Sequence, residues 1–175
     1  MSPVIDYRAP RWLPDGHSQT LWPLLIKPRP PTYRRTRWTT PDGDFIDVDH
    51  VDGPAEAPLV VLFHGLEGSS RSHYAIALAR AVQHRGWRLA IPHFRGCSGE
   101  LNHLPRAYHS GDSAEIDWIL RRLQADNGGR RLFASGVSLG GNALLKWAGE
   151  RGLAAHEQVF AVAAVSAPLD LAACG

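Results

Sequence analysis

The strongest hydrophobic pattern begins at residue 59. Leu59-Val60-Val61-Leu62-Phe63 is a continuous apolar run, which marks a strand buried on both faces. A helix follows, with Tyr74, Leu78, Ala81 and Val82 on one face, and it ends near Gly86. Trp87–Pro92 is the next strand. The spacing then predicts a helix over Asp112–Gln124, where Ile116, Ile119, Leu120 and Leu123 form an apolar stripe. Asp112 and Glu115 stand at capping-box spacing at its start. Arg131–Gly136 reads as a strand, Leu139–Arg151 as a helix and Val159–Val165 as a further strand.

Strands alternating with helices argue for a mostly parallel sheet covered by helices on both faces. Upstream, Tyr33–Thr40, the turn Pro41-Asp42-Gly43-Asp44 and Phe45–Val51 read as a hairpin that adds antiparallel strands at one edge. Residues 52–58 are a loop with Gly53, Pro54 and Pro58. Residues 1–32 form an N-terminal arm, rich in proline and tryptophan, with a short helix from His17 to Leu25. Trp12, Trp22 and the Leu21–Ile26 patch are expected to pack against the core. Residues 33–175 then belong to one α/β domain. Ligands of such sheets sit at the carboxyl ends of the strands, so the strand-to-helix turns are where chemistry is expected.

Composition narrows the partner more than the fold. Apolar residues make up 44% and charged residues 21%, the balance of a soluble globular protein. A net charge of +2 is too small to argue for nucleic acid or an anionic membrane, which leaves a small, fairly apolar molecule. Cys97 and Cys174 lie far apart, make no disulfide framework and fit a reducing compartment. The apolar run from Leu21 to Ile26 contains Pro23 and stops at Lys27, so it is no signal-peptide core. Nothing approaches the roughly 18 apolar residues of a membrane span. The expected location is the cytoplasm. No oligomeric state follows from the pattern.

One strand-to-helix turn carries a chemical motif. Gly136-Val137-Ser138-Leu139-Gly140 fits G-x-S-x-G, with an apolar strand before it and a helix after it. That pattern puts the serine on a tight, strained bend, where a side chain at either glycine would collide with neighbouring elements. Ser138 is the candidate acylating nucleophile. The N–H of Leu139, at the helix start, points at a developing oxyanion, and the helix dipole favours that negative charge. Rival glycine-loop chemistries fail on spacing. A phosphate-binding loop needs Gly-Lys-Ser/Thr, and the nearest lysine, Lys146, lies well into the helix. A dinucleotide fingerprint needs glycine where Ser138 stands.

Two more constellations follow strands. In His64-Gly65-Leu66-Glu67-Gly68-Ser69, glycines let the backbone approach a substrate, and the Leu66 N–H is the candidate second oxyanion donor. His64 is read as a structural residue, because this arrangement supplies its base after the nucleophile in the order Ser, Asp/Glu, His. In His93-Phe94-Arg95-Gly96-Cys97-Ser98-Gly99-Glu100, Arg95 is read as pairing with a nearby acid and Cys97 as an inert thiol. The nine histidines show no metal-ligand spacing, and His103 and His109 are read as rim or surface residues. Neither a metal nor a cofactor is expected.

These motifs, with Tyr108-His109-Ser110-Gly111 and Gly140-Gly141-Asn142, resemble the YheT-like branch of α/β-hydrolases, the AB hydrolase 4 family. His17-Ser18-Gln19-Thr20-Leu21 and Pro41-Asp42-Gly43-Asp44-Phe45 are similar to its N-terminal signatures. The resemblance implies an α/β-hydrolase fold and a carboxylic ester hydrolase acting on short-chain or lipid acyl esters, with some relatives transferring acyl chains to alcohols. Ser138 matches the family nucleophile. The family's triad acid and histidine follow two further strands, which places them beyond residue 175 and leaves Asp170 one strand too early. The resemblance therefore also implies an N-terminal portion, inactive alone, as the alternative to a working esterase.

Overall fold

The protein is described by a computed structural model that covers residues 8–26 and 28–174. Its arm carries α1 (Gly16–Leu25), which starts where the Asp15 carboxylate accepts the Ser18 N–H at 2.9 Å. The arm departs from expectation. Trp12, Leu21, Trp22, Leu25 and Ile26 are exposed rather than packed on the core. Trp12 and Trp22 instead meet edge to face, with ring centroids 5.0 Å apart, so each ring finds its contact within the arm.

Six strands form one sheet: β1 (Arg34–Thr39), β2 (Phe45–Val51), β3 (Leu59–Phe63), β4 (Arg88–Pro92), β5 (Leu132–Val137) and β6 (Ala161–Val165). Their order is β1-β2-β4-β3-β5-β6, with β1, β2 and β4 antiparallel and β4, β3, β5 and β6 parallel. The predicted parallel sheet with an antiparallel hairpin at one edge is therefore present. Successive residues of β3 face opposite sides. Leu59, Val61 and Phe63 join the core under α3 (Ser113–Asp126) and α4 (Leu139–Arg151), while Val60 and Leu62 join that under α2 (His73–His84). Buried on both faces, β3 could not have been anything but an apolar run.

Two helices depart from the sequence reading in detail. The buried face of α2 is Ala75, Ile76, Ala79 and Val82, one residue round from the predicted face. Two alanines let the helix lie close to the sheet, and Tyr74 is turned so that its hydroxyl reaches the loop after β3. At α3 the capping box does not form. Asp112 is taken by Arg106, and Glu115 by the buried Arg95, Nε to Oε2 at 2.9 Å. A desolvated guanidinium requires a carboxylate more than a helix end does.

The stripe Ile116, Ile119, Leu120 and Leu123 is buried as expected and meets Leu144 and Trp147 of α4 in the same core. Leu144 of α4 is wholly buried in this core. Leu144→Ala should lower stability by about 2–5 kcal/mol, seen as a lower urea midpoint at unchanged slope.

Candidate active site

The turn from β5 to α4 is built from backbone contacts. Ser138 has φ 51° and ψ −120°, a conformation that costs a non-glycine residue about 1–3 kcal/mol. It is held by its own N–H, which donates to the Val165 carbonyl at 2.9 Å, and by its carbonyl, which accepts the Asn142 N–H at 2.9 Å. A Cβ on Gly136 would stand 2.6 Å from the Gly140 carbonyl oxygen. One on Gly140 would overlap the carbonyl oxygens of Phe63 and His64. Glycine is thus required at both positions of the motif. At the start of α4 the Leu139 N–H has no acceptor among the described residues.

The loop after β3 lies against this turn. A Cβ on Gly65 would come within 3.3 Å of the Ser138 Cβ, so the backbone leading into Leu66 passes beside the serine. His64 is fully buried beneath. Its Nε2 accepts the Phe94 N–H at 3.0 Å, and its Nδ1 faces the Gly65 carbonyl at 2.7 Å. Burial pushes the imidazole down to about 4, so it is neutral, with the proton assigned to Nδ1 by its partners. With both nitrogens engaged, His64 is a loop anchor, not a base. The Leu66 N–H has no acceptor among the described residues, and its side chain is exposed. The two proposed donors and the serine are therefore at the same rim of the sheet.

A buried carboxylate ties the rim to the hairpin edge. Asp49 of β2 accepts from Arg35 of β1 at 2.7 and 2.9 Å, from the Ser70 hydroxyl at 2.6 Å and from His93 Nε2 at 2.9 Å. Burial alone would raise its carboxyl, but the bonds from Arg35, His93 and Ser70 outweigh that and hold it well below the usual carboxylate range. The loops after β3 and β4 thus share one anchor. Beside it a cleft of about 340 Å³ opens between Ser70, Arg71, His93 and Cys97. Another, of about 250 Å³, lies at the far end of the sheet near Leu59, Arg88 and Asn127, away from Ser138.

The remaining candidates fall as follows. Arg95 is buried among Asp42, Asp44 and Glu115, its nearest carboxylate contact 2.9 Å away. Cys97 is half-buried, and burial raises its thiol, which therefore stays protonated. His103 and His109 are exposed. Asp170 is exposed and uses Oδ1 to accept the Ala172 and Ala173 N–H groups at 3.0 and 3.1 Å. Among the described residues no group of His, Cys, Asp and Glu is placed to hold a metal, and no helix is long and apolar enough to cross a membrane. The Asp49 anchor went unread in the sequence. Its only signal is the acid at every second position of Asp47-Val48-Asp49 opposite Arg37 and Arg35.

Strand order and the serine turn point the same way as comparison with known proteins. Residues 58–173 match the family model described as the alpha/beta hydrolase fold. The chain belongs to the α/β-hydrolases. It is 44% identical over 164 residues to "Putative esterase YheT" of Escherichia coli (strain K12), covering 90% of this chain and 47% of that protein. It is 29% identical over 161 residues to "Phospholipase ABHD3" of Mus musculus, covering 86% of this chain and 39% of that one. The chain thus spans less than half the length of these curated relatives, and the resemblance to the YheT-like branch holds along most of its own length. Among solved structures, the Pyrococcus furiosus esterase Pf2001 superposes with a TM-score of 0.62 at 20% identity, over 81% of this chain and 53% of that one. The α/β-hydrolase GrgF from Penicillium sp. sh18 gives 0.66 at 17%, over 80% and 47%. At these identities the superpositions speak for the fold alone.

The Asp49 anchor predicts an acid-side stability slope. Its folded pKa lies below the unfolded value of about 3.9, so its contribution is complete above that value. The contribution falls as pH drops toward the folded pKa, by about 1.4 kcal/mol per pH unit for one proton. Asp49→Asn should cost about 1–3 kcal/mol at neutral pH by weakening the buried acceptor shared by Ser70 and His93, and should flatten urea-midpoint profiles below pH about 4. An unchanged slope would remove Asp49 from this role.

Proposed function

We propose that this chain provides the nucleophile and oxyanion cradle of a serine hydrolase that cleaves carboxylic esters through an acyl-enzyme on Ser138. The observation that carries the reading is the backbone of Ser138, held at φ 51° between β5 and α4 beside the Gly65-Leu66 loop. Strain of this kind persists only where surrounding contacts impose it, and here it lifts a hydroxyl to the carboxyl edge of the sheet. Ser138 attacks the ester carbonyl as a base takes its proton, the Leu66 and Leu139 N–H groups receive the oxyanion, and the alcohol leaves. Each such donor is worth about 2.7–4 kcal/mol in the transition state. Water then releases the acid. The names of the relatives, an esterase and a phospholipase, favour short-chain or lipid acyl esters as the substrate class. The free cysteines fit a cytoplasmic setting.

The base and its orienting acid are assigned to strands beyond residue 175, so that these residues are the N-terminal part of the catalytic domain. Two observations support this. The relatives are matched over less than half their length, and β6 ends the sheet with its residues exposed or only half-buried. A parallel strand in this setting is ordinarily covered on both faces and paired on both edges. On this reading the 175 residues alone do not turn over esters. Transfer of the acyl group to an alcohol is the second reading, favoured by the 31% identity over 141 residues to "Medium-chain fatty acid ethyl ester synthase/esterase 2" of Saccharomyces cerevisiae.

In the full-length protein, Ser138→Ala should abolish p-nitrophenyl ester turnover and fluorophosphonate labelling, while the isolated 175 residues label poorly even with Ser138 intact. Turnover surviving in Ser138→Ala protein would overturn the assignment. Adding ethanol as a competing acceptor separates the two readings by the ratio of ethyl ester to free acid formed.

A further inference from the structure

The loop that carries Leu66 is gripped on both sides by phenols. Tyr74, in the first turn of α2, accepts the Gly65 N–H on its hydroxyl at 2.9 Å. Tyr108, in the segment between β4 and α3, accepts the Glu67 N–H at 2.8 Å. Of three successive amides the outer two are engaged, and the middle one, Leu66, is left without an acceptor among the described residues. The grips come from opposite sides of the sheet: Tyr74 packs with the core under α2, Tyr108 with the core under α3 and α4.

Each phenol is itself held in place. The Tyr108 ring stacks on Phe94 at 5.2 Å with the planes 8° apart, and the Phe94 N–H is bound by His64. Its hydroxyl lies against the Cys97 thiol, and burial raises both groups, so both remain neutral. The Tyr74 hydroxyl occupies the space that a side chain at residue 68 would fill, since a Cβ on Gly68 would stand 2.5 Å from it. Glu67 has φ 51°, in the left-handed region that a glutamate enters only when held there. The turn is closed by the Gly68 N–H on the Gly65 carbonyl at 3.0 Å, and the two phenols take up the Gly65 and Glu67 amides around it.

We propose that Tyr74 and Tyr108 are positioning residues that fix the direction of the Leu66 N–H toward the transition-state oxyanion. The inference rests on the assignment of Ser138 and Leu66 above. An oxyanion donor acts only if aimed at where the oxygen will be in the tetrahedral species. The Leu66 N–H lies in the Gly65–Leu66 peptide plane, whose carbonyl meets His64 Nδ1 and accepts the Gly68 N–H, and the phenols fix the peptides on either side of that plane. Neither hydroxyl touches the reacting atoms. Their effect is therefore confined to the step in which negative charge develops.

Tyr74→Phe and Tyr108→Phe, each in the full-length protein, remove one acceptor and keep the ring. Each should lower kcat on p-nitrophenyl butyrate roughly tenfold, less than the about 10²–10³-fold that loss of a donor costs, with KM within about twofold. Affinity for an alkylboronic acid, whose adduct with serine places an oxygen in the cradle, should fall by the same factor as kcat. The two phenols reach the loop from different elements, so either variant carries the test if the other fails to fold. An unchanged kcat in folded variants, or a fall in kcat with boronic acid affinity intact, overturns the positioning role. Ser138→Ala in the same series keeps the two ideas apart. Turnover in that variant sinks the serine assignment, whereas its loss there beside fully active tyrosine variants sinks only the inference about Tyr74 and Tyr108.

Discussion

The N-terminus of α4 meets β3 and β5 through backbone alone, and the rest of the rim depends on that contact. Gly140 stands against the carbonyls of Phe63 and His64, and Gly136 against Gly140 itself. No side chain fits between, so the helix starts directly over the ends of two central strands. Ser138 is the residue that must absorb the sharp change of direction, at the cost of a left-handed φ. The compensation is spread across neighbours: the sheet partner β6 takes the Ser138 N–H, and Asn142 donates its backbone N–H to the Ser138 carbonyl. The Asn142 side chain further joins Gly111 to Pro168, at 2.8 and 2.7 Å, so the loops before α3 and after β6 are fastened to the same helical turn.

The buried full charges gather around the hairpin, the loop after β4 and the start of α3. Arg35 and Arg37 of β1 lie opposite Asp49 and Asp47 of β2, and Asp49 extends this ladder to Ser70 and His93 on the two rim loops. Arg95 makes a second knot with Asp42, Asp44 and Glu115. Ion pairs buried on both sides, as Arg95–Glu115 is, add little net stability compared with apolar packing, yet removing one partner is costly. Their effect is to make each loop position conditional on several others. A loop fixed in this way can carry a donor at a defined angle, which a loop held only by apolar contacts could not.

Much of this was legible in the sequence because it rests on periodicity and on glycine. Phe45–Val51, Leu59–Phe63 and Leu139–Arg151 have the predicted bounds, since apolar runs and a G-x-S-x-G turn leave few alternatives. The serine and its neighbouring loop were legible for the same reason. What the sequence did not disclose are pairings between distant side chains. Asp112 and Glu115 have the spacing of a helix cap, but the buried charge of Arg95, twenty residues away from Glu115, takes precedence. Tyr74 has the look of a core position, but its hydroxyl determines which way α2 is turned. The arm fails differently: an apolar cluster at residues 21–26 marks a surface to be covered without specifying by what.

The separation of charge from the serine has a chemical consequence. Against the start of α4 lie Phe63 and His64, with His64 edge to face on Phe94 at 4.8 Å and kept neutral by burial. In such surroundings partial charges act at low effective dielectric, and two N–H groups without acceptors among the described residues, with the end of a helix dipole, supply positive potential. On the proposed reading, these neutral surroundings leave stabilisation of the developing charge to the amides of Leu66 and Leu139. On that reading the glycines at 136 and 140, the neutral His64 and the tyrosines on the loop serve one requirement, that the oxyanion's partners be in place before the charge appears.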